Sequence, residues 1–453
     1  MGEAVHPDFF MSPDGSNRES LRQQGYRFVD LIIDDILSRT TGDFGQPRPP
    51  AIAPFEIPEH GRPMVDLMAE LRRTVIPHSL NLHHRGYMGH MDSVPLAITI
   101  WADALIAALN NNMLSYELAP FFTDLEQQLI HWFSQLFGLG DSAGGTLTAG
   151  GSLANLTALL AARNHTQTEA SRRGVTMPQM ALVSEAAHTS FDKAMNVLGL
   201  GQDHLIRIPT NPRGELQIDA LHQTLDTLAG RGCIPFVIVA IAGTTVTGAI
   251  DPLAEIGAIA RERGIWFHVD AAYGGAAIFS ESRRSHLRGI ELADSITFNP
   301  QKWLWVARTC AMVLVRHAPT LGRALDTPLP YMDEAQTNYG SLTLQGTRRT
   351  DSLKLWLALQ ALGQSGCRQL VEDSLMATEL FCQWVQRQPQ IDLICEPTLN
   401  IACLRSTDPA VSNAMLQKQW IAAGRRWLSL PLWRGDRILK AVVLHPHQQW
   451  HQP

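Results

Sequence analysis

Residues 20–38, SLRQQGYRFVDLIIDDILS, repeat apolar positions at intervals of three and four, which predicts an amphipathic helix. From Thr41 to Pro63 the periodicity vanishes and six prolines intervene, so an extended connector follows. Long helical patterns return between Ile98 and Leu139, most clearly in LEQQLIHWFSQLFGL. From Thr146 onward, short apolar runs alternate with helix-length stretches: MALVSE (180–185), FVIVAIAG (236–243), IWFHVD (265–270), SITFN (295–299) and AMVLV (311–315). Unbroken apolar strands with such connectors predict a mainly parallel sheet covered on both faces, an α/β fold whose ligands lie beyond the carboxyl ends of the strands. Residues 326–346 form a polar loop punctuated by Pro and Gly, long enough to be expected as a lid. A helix over Ser352–Leu362 and a smaller α+β segment complete the chain.

Composition narrows the function. The 453 residues are 45% hydrophobic and 18% charged, which suits two or three domains with a large shared core and excludes a disordered tail. A net charge of −6 gives no reason to expect nucleic acid or an anionic membrane as partner. The start lacks the basic-then-apolar order of an export signal, and the longest apolar run, around FVIVAI, falls far short of the ~20 residues a span requires. A soluble, cytoplasmic protein is expected. Six scattered cysteines with no CxxC pair read as reduced core residues. Histidines 445, 447 and 451 read as a C-terminal tail, and no metal is expected.

Three segments carry candidate chemistry. TLTAGGSLANLTALLAARN sets Gly150, Gly151 and Ser152 before an Ala- and Leu-rich helix, where backbone N–H groups, a hydroxyl and the helix dipole can cradle a phosphate; a Gly-Gly pair there can also be only a turn. HVDAAYGG puts Asp270 at a strand end, where a carboxylate is costly unless paired, as with a protonated pyridine nitrogen, though it can also cap a helix. SITFNPQKWLWV ends a strand with Lys302 among apolar residues, where an amine loses its proton easily and can condense with an aldehyde, though the side chain can also snorkel to water. His188, in SEAAHTSFDKA, fits a ring stacked on a flat cofactor or a hydrogen-bonded loop residue, and Thr245 and Ala272 stand at neighbouring strand ends.

SEAAH, GTT, HVDAAYGG and FNPQKW, in this order and spacing, resemble the group II pyridoxal-phosphate-dependent amino acid decarboxylases, a likeness that spans essentially the whole chain. The resemblance implies a fold-type I architecture: an N-terminal dimer-packing segment (1–95), a large cofactor domain (96–345) with a seven-stranded type of sheet, and a small C-terminal domain (346–453). It implies a homodimer with active sites at the interface, pyridoxal 5'-phosphate as cofactor and a small amino acid as substrate. Lys302 is then the Schiff-base lysine, Asp270 the partner of the pyridine nitrogen and His188 the stacking ring. Gly151, Ser152 and Asn299 match phosphate contacts, and Thr245 and Ala272 match ring contacts. Tyr331 stands where the family carries its catalytic loop tyrosine, with Tyr339 as the other loop tyrosine.

Four positions depart from the family pattern. Gln301 replaces the histidine before the lysine, the chain lacks a closing C-terminal helix, and Lys440 stands where an arginine binds the substrate α-carboxylate, without its bidentate fork. His90 and Asp92 occupy positions where glutamate decarboxylase reads a distal carboxylate. An Asp there repels such a group and favours an ammonium or hydroxyl, or else it caps backbone elsewhere. Asn112 and Leu114 fall in a segment that also touches the side chain in the family. The expectation is α-decarboxylation of a diaminobutyrate-like or aromatic L-amino acid. An acidic amino acid decarboxylase, an aminotransferase or another fold-type I enzyme, and a non-catalytic cofactor binder are the alternatives.

Overall fold

The computed structural model describes residues 10–45, 57–325, 327, 332, 333 and 335–448. Its main sheet has seven strands: β1 (Gly144–Thr148), β2 (Gln179–Ser184), β3 (Leu205–Ile208), β4 (Ile234–Ile241), β5 (Trp266–Asp270), β6 (Ser295–Phe298) and β7 (Ala311–Val315), ordered β1-β7-β6-β5-β4-β2-β3. All pairs from β3 to β6 are parallel, and β7 is antiparallel to both neighbours. Every residue of β5, β6 and β7 is buried, as unbroken apolar runs require when both faces are covered. In register, Ile241 pairs with Asp270 and Asp270 with Thr297, so β4, β5 and β6 end level and their outgoing loops emerge side by side.

The helix Gly151–Thr166 starts at that end and runs back over the sheet, so that His165 reaches Trp266 at the start of β5. Its alanines permit close approach: Ala154 and Ala158 pack on Val313 of β7. Helix Ser352–Gln386 is longer than expected from periodicity, but its backbone breaks at Gly363 (φ 61°), immediately after the predicted end at Leu362. Glycine tolerates that left-handed conformation, so packing on both sides continues the element past a local stop signal.

A three-stranded antiparallel sheet of Ile391–Leu393, Ile401–Ser406 and Leu439–Val442 forms the C-terminal layer. Residues from the N-terminal part of the chain are clamped onto it. Trp427 N–H donates to Gly86 O (2.9 Å), Met88 N–H to Trp427 O (2.9 Å) and Val442 N–H to Met88 O (2.7 Å). A Cβ on Gly89 would lie 1.8 Å from the Trp427 ring, so only glycine permits this approach. The first helix, Arg18–Ile32, continues into a π-helical turn, Ile33–Leu37, and leaves Tyr26, Phe28, Val29 and Ile33 exposed. Among the described residues no helix is long and apolar enough to cross a membrane.

Candidate active site

A cavity of about 270 Å³ opens where β4, β5 and β6 end, lined by residues that include Gly151, Ser152, His188, Thr245, Asp270, Ala272, Asn299 and Lys302. The structure thus gathers all eight sequence-predicted cofactor contacts from five separate loops. Larger clefts lie elsewhere among the described residues, and those beside Trp132, Trp266 and Glu379 are lined by none of these eight residues.

Asp270 terminates β5 and is buried. Its Oδ2 accepts from Asn155 Nδ2 (2.9 Å) and its Oδ1 from the Ala272 N–H (3.1 Å). These neutral donors hold the carboxylate without neutralising it, which leaves its charge for a cation in the cavity. Asn155 continues the network, with Oδ1 3.2 Å from His268 Nε2, and His268 Nδ1 lies 2.9 Å from Ser295 Oγ. Burial pushes the His268 imidazole down to about 4, so this ring stays neutral near pH 7. Neither Asn155 nor His268 was picked out by sequence reasoning. Each lies one helical turn or two residues from a recognised motif position, and that adjacency was the available signal.

Lys302 sits on a single helical turn, Pro300–Trp303, that follows β6. Gln301 anchors this turn: its N–H donates to Cys310 O (3.1 Å), and its Oε1 accepts the Cys310 N–H (2.6 Å). Trp303 stacks on Tyr273 behind it, with ring centroids 5.3 Å apart. The Lys302 Nζ projects to the cavity, 4.0 Å from Met91 Sδ. Desolvation lowers its pKa, against the opposing pull of Asp270 and Asp92, so the neutral amine becomes more accessible. The His188 ring is oriented by the Ser190 N–H, which donates to Nδ1 (3.1 Å), and burial lowers its pKa.

The phosphate end passes a stereochemical test. Gly151 begins the helix Gly151–Thr166, and a Cβ there would lie 2.8 Å from Asn299 Nδ2, so glycine keeps the cradle open. Asn299 Oδ1 is buried with no hydrogen-bond partner. Because an amide can turn about its last bond, Asn299 can present N–H to an anion instead. With the helix dipole and Ser152 beside it, this end suits a phosphate. Asp270 at the far end suits a ring nitrogen, and the residues fit pyridoxal 5'-phosphate. Among the described residues no group of three or more His, Cys, Asp or Glu could hold a metal ion.

The expected substrate residues are less uniformly placed. Lys440 is buried, its Nζ donating to the carbonyl of the cavity residue Thr245 (3.1 Å), and burial pushes its pKa down to about 8. Asp92 is ion-paired to Arg308 rather than capping backbone, and its charge acts on Lys302, Lys440 and the exposed His90. Arg308 was not recognised from sequence. None of the five expected substrate residues, His90, Asp92, Asn112, Leu114 and Lys440, lines this cavity in its own chain. Asn112 Oδ1 accepts from the Leu114 and Arg348 N–H groups (3.0 and 3.1 Å), tying the segment to residues after the long loop. Tyr331 lies outside the described residues; Tyr339 is buried under the Arg348 guanidinium, 4.7 Å from its ring centroid.

A strand-end carboxylate, a strand-end lysine and a glycine cradle on one mainly parallel sheet define a fold-type I enzyme of pyridoxal phosphate. The chain belongs to the pyridoxal-dependent decarboxylases: residues 48–407 match the pyridoxal-dependent decarboxylase conserved domain. It is a PLP-dependent amino acid decarboxylase. It is 31% identical to an L-2,4-diaminobutyrate decarboxylase of Rhizobium meliloti, over 97% of this chain and 91% of that one. It is 28% identical to an aromatic-L-amino-acid decarboxylase of Bacillus atrophaeus, over 94% and 92%. The fold is shared with mouse CSAD, at a TM-score of 0.90 and 24% identity over 96% of each chain.

Proposed function

We propose that this decarboxylase acts on an L-amino acid whose side chain ends in an ammonium or hydroxyl, a diaminobutyrate-like substrate before an aromatic one. The observation that carries this reading is the Asp92 carboxylate, next in the chain to Met91, which lines the cavity 4.0 Å from the Lys302 Nζ. Two relatives at 31% and 32% identity are named L-2,4-diaminobutyrate decarboxylases, which supports it. The half-exposed Arg308 favours a second reading, an acidic substrate, as in the 32%-identical L-aspartate decarboxylase dtxS4 of Metarhizium robertsii.

When bound, pyridoxal 5'-phosphate supplies the aldehyde that the Lys302 amine condenses with and the ring that accepts the electrons of the breaking Cα–carboxylate bond. Gly151, Ser152 and Asn299 hold its phosphate, and His188, Thr245 and Ala272 confine the ring. Asp270 keeps a proton on the ring nitrogen, and Asn155 keeps Asp270 in place. Lys440 holds the α-carboxylate as a point charge, and Tyr331 delivers the proton to Cα.

Function as a homodimer belongs to the same proposal. The apolar residues exposed along Arg18–Ile32 support residues 1–95 as the packing segment ahead of the cofactor domain (96–345) and the small domain (346–453). Asn112 and Leu114, outside the cavity of their own chain, then contribute across the interface. The six unpaired cysteines support a cytoplasmic, reducing setting.

Release of CO2 from diaminobutyrate, lysine, ornithine, tyrosine, tryptophan, glutamate and aspartate, with no keto acid added, tests the reading. Diaminobutyrate is expected to lead; turnover confined to glutamate or aspartate would overturn it. A requirement for a keto acid would identify an aminotransferase.

A further inference from the structure

Asp92 and Arg308 meet from two anchored pieces of backbone. Asp92 follows the Gly86–Met88 stretch that is bonded to Trp427 and Val442, with Met91 lining the cavity. Arg308 lies on the turn between the Lys302 helix and β7. That turn is fixed by Leu96 N–H to Trp305 O (2.8 Å), Ala307 N–H to Thr99 Oγ1 (3.1 Å) and Thr309 Oγ1 to Asp351 Oδ2 (3.2 Å). With both backbones held, the freedom left is in the side chains. The Arg308 side chain is 54% exposed and that of Asp92 33%, so either can exchange its partner for a solute. Met91, the residue before Asp92, holds its Sδ 4.0 Å from the Lys302 Nζ, which brings the pair close to the reacting end of the cavity.

Resting on the reading that this cavity decarboxylates amino acids past Asp92, we propose that Arg308 is a specificity-determining residue that masks Asp92. A distal ammonium must take Asp92 from the guanidinium, and a distal carboxylate must take Arg308 from Asp92. In either case one ion pair replaces another, so Arg308 tempers the preference for an ammonium that a bare Asp92 would impose. Removing Arg308 sharpens that preference, and removing Asp92 reverses it.

The test uses the holoenzyme as wild type, Arg308→Leu, Asp92→Asn and the double variant. The readout is the ratio of inhibition constants of diaminobutyrate and glutamate against whichever amino acid the wild type decarboxylates, or of their KM values where they are themselves turned over. Arg308→Leu is expected to shift the ratio towards diaminobutyrate about tenfold and Asp92→Asn towards glutamate about tenfold, the scale of a partly exposed charge pair. The double variant returns near the wild-type ratio. Ratios within twofold of wild type in both single variants would overturn the proposal. So would a parallel weakening of both amino acids, which marks a purely structural pair. Because inhibition is read even for an amino acid that is not turned over, failure of the diaminobutyrate reading leaves this outcome separately decided.

Discussion

Lys440 shows how one residue can set a pH dependence. Burial lowers its pKa from the usual lysine value to about 8, so the ammonium is intact below that pH and lost as pH rises through it. A carboxylate held by that charge binds less tightly on the alkaline side. KM is therefore expected to climb above pH ~8, and Lys440→Arg to flatten the climb, since a guanidinium stays charged; a pH series of KM for the two proteins checks this. At Asp270, replacement by Ala removes the charge facing the ring nitrogen and is expected to lower kcat by roughly 10²–10³-fold, the usual cost of one pre-organised electrostatic contact, with the fold intact by circular dichroism. Lys302→Ala is expected to abolish CO2 release, and borohydride treatment to label Lys302 only in the unmutated holoenzyme. Asp270 and Lys302 were readable because each stands next to a strand end in a motif. Asn155, His268 and Arg308 were not. Their roles are hydrogen bonds and an ion pair to residues over a hundred positions away, and nothing in local spacing encodes such a partner.

At the scale of elements, the edge strand β1 depends on a buried charge pair. Glu126, in helix Pro120–Leu136, accepts at Oε1 from Thr146 Oγ1 (2.9 Å) and from the Leu147 N–H (2.8 Å), while Arg348 Nη2 bonds both Glu126 oxygens and Leu147 O. Neither side chain is more than 5% exposed. Arg348→Met strands the carboxylate in the interior and is expected to cost about 3–5 kcal/mol in urea unfolding, whereas the apolar pair Glu126→Leu with Arg348→Met costs less. The sequence pattern announced five of the strands to within two residues, and its clearest helical run, residues 125–139, overlaps the helix Pro120–Leu136 with a start five residues late. It announced neither β1, with two glycines in five residues, nor β3, whose Leu205–Ile208 run is too short to show a period. It also ended helix Ser352–Gln386 at the Gly363 break, because a local stop signal cannot reveal that contacts on either side bridge it.

For the whole molecule, the exposed apolar positions of the first helix lead to a prediction of assembly. Light scattering is expected to give twice the chain mass, and removal of residues 1–38 to lower that mass together with activity; a fully active monomer would refute the interface role. The α/β architecture, the cofactor and the residues that meet around one cavity could be read from the chain, because strand-end loops carry their chemistry in short contiguous motifs and the sheet brings those ends level. The charge balance beside the cavity could not. The meaning of Asp92 changed once Arg308 was beside it, since a carboxylate selects cations when bare and much less so when paired. That pairing joins an N-terminal stretch to a turn beyond the catalytic lysine, and only the folded chain brings the two together.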